Sequence, residues 1–202
     1  MIRAFLAVEL SEDVRAQIAR IQQDLKSSLA NVLPRAVRIS WVQAASIHLT
    51  IKFLGDTDEQ AIEPLREALA AALQDHRALS IPLERLGAFP VLQAPRVLWV
   101  GAAELWEQGA EAKRLAELHA SAEACCDSFG FAPDSRPLSP HLTLARIKAG
   151  AREFGEALAS SKVLARPLSL NALAVESVSL MQSELRPTGS VYTKLWQVRL
   201  TG

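Results

Sequence analysis

Two short runs carry the side-chain types that acid–base chemistry needs. His48-Leu49-Thr50-Ile51 lies within Ser46-Ile47-His48-Leu49-Thr50-Ile51-Lys52-Phe53-Leu54-Gly55, and His141-Leu142-Thr143-Leu144 lies within Pro140-His141-Leu142-Thr143-Leu144-Ala145-Arg146. Each reads His, aliphatic, Thr, aliphatic. A strand alternates its side chains between two faces, so in both runs His and Thr share one face and the aliphatics the other. The aliphatic face is a core face. The other presents an imidazole and a hydroxyl roughly 6–7 Å apart along the strand. Two copies, one in each half of the chain, predict two similar half-sites facing each other.

A neutral imidazole accepts a proton and an imidazolium donates one, and histidine's ordinary pKa near 6.5 lets both forms exist at working pH. Two histidines flanking one substrate can divide the work, one as general base and one as general acid, each worth roughly 10²–10⁴ in rate. A threonine hydroxyl on the same face donates to a phosphoryl oxygen where charge develops. The combination suits phosphodiester hydrolysis with no metal and no cofactor: one histidine activates water and the other protonates the departing alkoxide. The symmetry of the motifs leaves open which does which. Zinc is the rival for the same side chains, but neither run has Asp, Glu or Cys at short spacing on the His face. Asp56 and Asp58 follow Gly55 at a helix start, where capping accounts for them.

Other candidates rank below these. Simple alternation puts Lys52 on the face of His48 and Thr50. It puts Arg146 on the face opposite His141 and Thr143, from which only its length and a strand-end position would bring it to a phosphate. Arg3 and Arg136 have similar standing. Cys125 and Cys126 lie late in an apolar helix and read as packing rather than as nucleophiles, which need a basic, exposed setting. His76, at a helix end, and His119, on a polar helical face, read as solvent-exposed. Trp41, Trp99 and Trp106 read as packing residues.

Composition narrows the class. Half of the 202 residues are hydrophobic, enough for one large domain or two small lobes sharing a cleft. The 22 basic and 22 acidic side chains cancel, which disfavours a protein that coats long nucleic acid by charge but leaves room for a local phosphate site. Two adjacent cysteines build neither a disulfide framework nor a metal site, so a reducing, cytoplasmic setting is expected. Glu9 comes too early for a signal-peptide core, and no apolar run approaches the roughly 20 residues that cross a bilayer.

The elements that must position the histidines follow from periodicity. Ile2 to Leu10 reads as a buried central strand. Ser11 caps a helix whose stripe is Val14, Ile18, Ile21, Leu25 and Leu29, with Pro34 ending it. Residues 37–42 form a short strand and residues 47–54 the first His strand, broken by Gly55. Thr57 to Gln60 is a capping box into a helix striped by Ile62, Leu65, Leu69 and Leu73. Residues 79–83 and 96–101 are strands separated by a loop with Pro90 and Pro95. A third long helix runs from Glu104 to about Phe129, with Leu105 on its inner side, and Gly130 closes it. A proline-punctuated loop delivers the second His strand, and a shorter helix follows at about 153–160. Strands are expected at 168–173, 174–182 and 192–200, the last after a turn at Pro187-Thr188-Gly189. The order roughly repeats, which predicts an α+β protein of two intertwined lobes, residues 1–202 forming one two-lobed domain.

These landmarks, together with Arg3-Ala4-Phe5-Leu6-Ala7, Trp41-Val42, Arg96-Val97-Leu98-Trp99, Arg136-Pro137 and the stretch from Ser183 to Tyr192, make the chain resemble the bacterial and archaeal RNA 2′,3′-cyclic phosphodiesterases. That family, once called 2′–5′ RNA ligases, belongs to the two-histidine phosphoesterase superfamily. The resemblance runs over essentially the whole chain, and neither His motif departs from the family's pattern. It implies a bilobal fold with a cleft between two antiparallel sheets and helices outside, and metal-independent opening of RNA 2′,3′-cyclic phosphate ends to a 2′-phosphate. Some members show a reversible 2′–5′ ligase activity. Carried over by position, His48 is the proton donor to the leaving 3′ oxygen, His141 the proton acceptor that activates water, and Thr50, Thr143 and Arg146 the phosphate contacts. The expected partner is RNA with a cyclic phosphate terminus, with no membrane association and a monomeric chain. Two other functions fit the residues: an RNA-end binding protein without relevant catalysis, and the same chemistry on a small cyclic nucleotide.

Overall fold

A computed structural model describes residues 1–186 and 189–202. In chain order it comprises β1 (Ile2–Glu9), α1 (Glu12–Leu29), β2 (Arg38–Trp41), β3 (His48–Thr57), α2 (Ile62–Leu73), β4 (Leu79–Ile81), β5 (Arg85–Phe89), β6 (Val97–Gly101), α3 (Glu104–Glu107), α4 (Ala110–Ser128), β7 (Leu142–Ala149), α5 (Ala151–Ser160), β8 (Leu173–Val175), β9 (Ser177–Arg186) and β10 (Gly189–Arg199). The Ser11 side chain accepts from the Val14 amide and Glu12 and Asp13 occupy the first turn, so α1 starts where its capping chemistry predicts.

Eight strands form one sheet of two antiparallel halves, while β4 and β8 pair with each other separately. One half is ordered β10-β9-β1-β3, and the other runs β7-β6-β5 with β2 on the second edge of β7. A single residue pair, Leu49 with Leu142, joins β3 to β7 and makes the ladder continuous. The two His motifs therefore lie on adjacent strands at the seam between the halves.

One face of the sheet packs on helices. Leu6, Val8, Leu49, Ile51, Leu98, Val100, Leu142 and Leu144 enter one core with Leu65 and Leu69 of α2, Leu115 and Leu118 of α4, Ile18 and Leu25 of α1, and Phe154 and Leu158 of α5. Phe5, Ala7 and Met181 form a separate small cluster with Tyr192 on the opposite face. The halves are intertwined: α1 follows β1 in sequence, yet its buried Gln22 donates to the carbonyls of Val42 (2.8 Å) and Leu144 (2.9 Å), beside β2 and on β7.

Both His strands carry a bulge at the same place. Leu6 and Ala7 of β1 face Lys52 and Thr50, leaving Ile51 as the extra residue. Leu98 and Trp99 of β6 face Ala145 and Thr143, leaving Leu144 extra. An extra residue reverses the facing of everything beyond it.

Several local expectations are corrected. Gly55 does not end β3: it adopts φ +73° inside the strand, which runs on to Thr57. The third helix is two helices, because Gly109 sits at the N-cap of α4 with extended φ/ψ, and Leu105 on α3 is 84% exposed rather than inward. Residues 85–89, expected as loop, form edge strand β5, whose pattern is too mixed to announce a strand. The strand expected at 168–173 is confined to β8, with only Leu173 included. The turn expected at Pro187-Thr188-Gly189 lies in part outside the described residues. No helix among the described residues is long and apolar enough to cross a membrane.

Candidate active site

A cleft of about 320 Å³ opens at the seam of the two halves, and its wall includes His48, Thr50, His141, Thr143 and Arg146. All five residues picked out from the sequence are thus brought together. The period-two reading places the four motif residues because alternation holds between residues 48 and 50 and between 141 and 143, before either bulge.

The two imidazoles are held in the same way. His48 Nδ1 lies 2.9 Å from the Ser46 carbonyl, and His141 Nδ1 lies 2.7 Å from the Ser139 carbonyl. A carbonyl only accepts, so Nδ1 carries the proton in both rings and Nε2 is the nitrogen left for chemistry. Aromatic rings fix each imidazole further. His48 sits 4.7 Å from Phe5 and edge-on to Tyr192 at 5.1 Å, while His141 is edge-on to Phe89 at 4.9 Å and 6.2 Å from Trp99. Burial is the main cause that pushes both pKa values below the ordinary 6.5. The positive charge of Arg146 adds to it, and the hydrogen bonds to Ser46 and Ser139 oppose it. Both shifts favour the neutral imidazole over the imidazolium.

The bulges decide the flanking residues. The extra Leu144 turns Arg146 back to the face of His141 and Thr143, against the alternation reading, and it lines the cleft. The extra Ile51 sends Lys52 away from the cleft, where its side chain is 2% exposed and its ammonium pairs with Glu123 at 2.6 Å. Phe53, the counterpart of Arg146 five residues after its histidine, takes the cleft face instead and is 69% exposed. Arg3 lines the cleft, whereas Arg136 pairs with Asp134 on the surface.

Other expectations are settled by contacts. His119 is not solvent-exposed: its side chain is 14% exposed and faces Glu123 at 3.5 Å. His76 is partly buried against the Ser121 hydroxyl at 3.0 Å. Burial pushes the Cys126 thiol up to about 12, consistent with packing. Among the described residues no three His, Cys, Asp or Glu side chains converge into a metal site, so the zinc alternative lacks a third ligand. Sequence reasoning did not assign Phe5, Ser183, Ser190 and Tyr192 to the cleft, because nothing local tells that β9 and β10 border β1.

Trp99 acts as a floor beneath His141. A Cβ at Gly87 would stand 2.2–2.6 Å from the Trp99 ring, so only glycine fits there. We expect Gly87→Ala to cost roughly 1–3 kcal/mol by overpacking and to lower kcat, because the displaced indole packs on Phe89 and His141. Urea unfolding and steady-state rates check both; wild-type values in both would refute the packing argument.

Two imidazoles and two hydroxyls converge on one cleft with a cation, a set of groups able to act on a phosphoester by acid–base chemistry. A family model described as LigT like Phosphoesterase matches residues 8–99 and 107–192, and the chain belongs to that family. It is 32% identical over 199 residues to an RNA 2′,3′-cyclic phosphodiesterase of Methanothermobacter thermautotrophicus, covering 98% of this chain and 99% of that protein. It is 31% identical over 175 residues to an enzyme of the same name from Aeropyrum pernix, covering 87% and 92%. The crystal structure of E. coli LigT in apo form matches with a TM-score of 0.71 at 26% identity, covering 100% of this chain and 98% of that one.

Proposed function

We propose that this protein opens the 2′,3′-cyclic phosphate at the end of an RNA, without a metal ion, to leave a 2′-phosphate. The observation that carries the reading is the matched pair of Nδ1-anchored imidazoles whose Nε2 atoms serve one cleft alongside two threonines and an arginine. His141 Nε2 takes a proton from water as it attacks phosphorus. His48, as imidazolium, gives its proton to the 3′ oxygen as the P–O bond breaks. Thr50 and Thr143 donate to the non-bridging oxygens and Arg146 balances their charge. This division of roles is the one that the resemblance to the two-histidine phosphoesterases implies. A 5′ hydroxyl attacking in place of water would give up its proton to His141 and form a 2′–5′ phosphodiester, the 3′ oxygen again leaving with the His48 proton. The exposed ring of Phe53 offers a base a stacking face. The chain works as one two-lobed domain over residues 1–202, as a monomer in the cytoplasm.

The test is incubation with an oligoribonucleotide ending in a 2′,3′-cyclic phosphate, in EDTA, with the phosphate position of the product read out. Conversion to the 2′-phosphate is expected. A 3′-phosphate would reverse the leaving group, and reaction only after metal is restored would overturn metal independence. A cleft of about 320 Å³ is at the small end for ligand pockets, which favours a second reading, a cyclic mononucleotide as substrate. Comparison of kcat/KM on a mononucleotide and an oligonucleotide separates the two, since an RNA enzyme gains from the flanking nucleotides.

A further inference from the structure

Lys52 and Glu123 form a charged pair inside the protein, on the far side of the sheet from the chemistry. Lys52 Nζ donates to Glu123 Oε2 at 2.6 Å and to the Ala132 carbonyl at 2.9 Å, and the Asp134 amide donates to the same Glu123 oxygen at 3.2 Å. The other carboxylate oxygen faces His119 Nε2 at 3.5 Å and has no hydrogen-bond partner. A buried ion pair is weak evidence for stability, because desolvating two charges offsets most of their attraction. What the pair does visibly is hold chain. Residues 132–138 lie outside any helix or strand and are largely exposed. Among the described residues, their hydrogen bonds to the body of the protein are the two that end on Lys52 and Glu123.

That segment leads directly to Ser139, whose carbonyl orients the His141 ring, and to His141 itself. At its other end the tether is rooted two residues beyond Thr50, on the strand that carries His48. The bulge at Ile51 is what lets Lys52 leave the cleft face and make this connection. We propose that Lys52 and Glu123 are positioning residues that hold the segment 132–140 against β3 and α4, and so keep the His141 imidazole in register with His48. The proposal rests on the two-histidine reading of the site and adds a structural support to it.

The test replaces both charges together, Lys52→Met with Glu123→Leu, so that neither is left buried and alone; apolar replacement of a buried pair usually preserves folding. The expected result is an unfolding midpoint close to wild type, kcat on the cyclic-phosphate oligonucleotide at least tenfold lower, and KM changed less than threefold. NMR titration of the ring protons should show the His141 pKa moved toward its ordinary value as the ring loosens from its buried seat, with His48 unmoved; Arg146 and His48, the charged groups around His141, are unaltered. Glu123→Gln keeps an acceptor for Lys52 and for the Asp134 amide, so kcat of the folded protein should stay within threefold of wild type although the unfolding midpoint falls, because the Lys52 charge loses its partner. A folded double variant with wild-type kcat and an unshifted His141 would overturn the proposal. Hydrogen exchange on the unaltered protein tests it independently of any variant: the Asp134 amide should be protected although its segment is exposed, and exchange at the rate of a free peptide would overturn it. Neither titration nor exchange needs a substrate. An inactive wild type would therefore remove the proposed reaction and leave the tether standing, while free exchange at Asp134 would do the reverse.

Discussion

Replacing either His48 or His141 with alanine lowers kcat by roughly 10²–10⁴-fold, the range for loss of a general acid or base, with little effect on the unfolding midpoint. Each ring makes one hydrogen bond, to the Ser46 or Ser139 carbonyl, and a single neutral hydrogen bond contributes only about 0.5–1.5 kcal/mol. Ser46 lines the cleft and Ser139 is exposed, so neither carbonyl left behind is sealed from water. Because the two groups work on one transition state, the double variant should be little worse than the worse single one. A phosphodiester with a nitrophenolate leaving group distinguishes the roles. Such a leaving group departs without a proton, so it should restore much of the rate to the variant lacking the acid and little to the variant lacking the base. Rescue of His48→Ala supports the assignment made above, and rescue of His141→Ala reverses it. Full activity of either alanine variant on the cyclic phosphate would remove paired histidine catalysis altogether.

Arg146→Gln should lower kcat/KM by roughly 10–150-fold, the equivalent of the 1.5–3 kcal/mol carried by a hydrogen bond to a charged group. It should also leave a signature that loss of binding alone does not produce. The Arg146 charge is one cause of the lowered pKa of both histidines, behind burial. Removing that charge makes the imidazolium less costly, so both pKa values rise part of the way toward 6.5, burial being unchanged. In the wild type the pH profile of kcat/KM should be a bell lying below the ordinary histidine range, falling as pH rises because the acid loses its proton. In Arg146→Gln the bell moves to higher pH. A uniform loss with no displacement would mean that Arg146 does not act on the imidazoles, and a profile flat from pH 5 to 8 would argue against acid–base histidines in any form.

The His and Thr residues proposed for these steps were legible in the linear sequence because their information is local. A His and a Thr two apart on an alternating strand share a face whatever the rest of the chain does, and the copies at 48–51 and 141–144 carry the same aliphatic filler that turns the opposite face to the helices. The amphipathic stripe of α1 and its Ser11 cap are local in the same sense. Alternation alone assigned Arg146 and Lys52 each to the wrong face, and Arg146 was picked out only through the family resemblance. Whether a strand takes an extra residue depends on the pairing of its neighbour, here β6 against β7 and β1 against β3. The compensating partners are also remote: Gln22, far along the chain in α1, donates to the carbonyl of the extra Leu144. The same holds for the Glu123 that receives Lys52, 71 residues along the chain. Sequence alone determined that two imidazoles and two hydroxyls would be offered on one side of a sheet, since side-chain alternation needs only the chain itself. Tertiary structure decided which cations accompany them, since a bulge inverts facing and is set by strands and helices that only folding brings alongside.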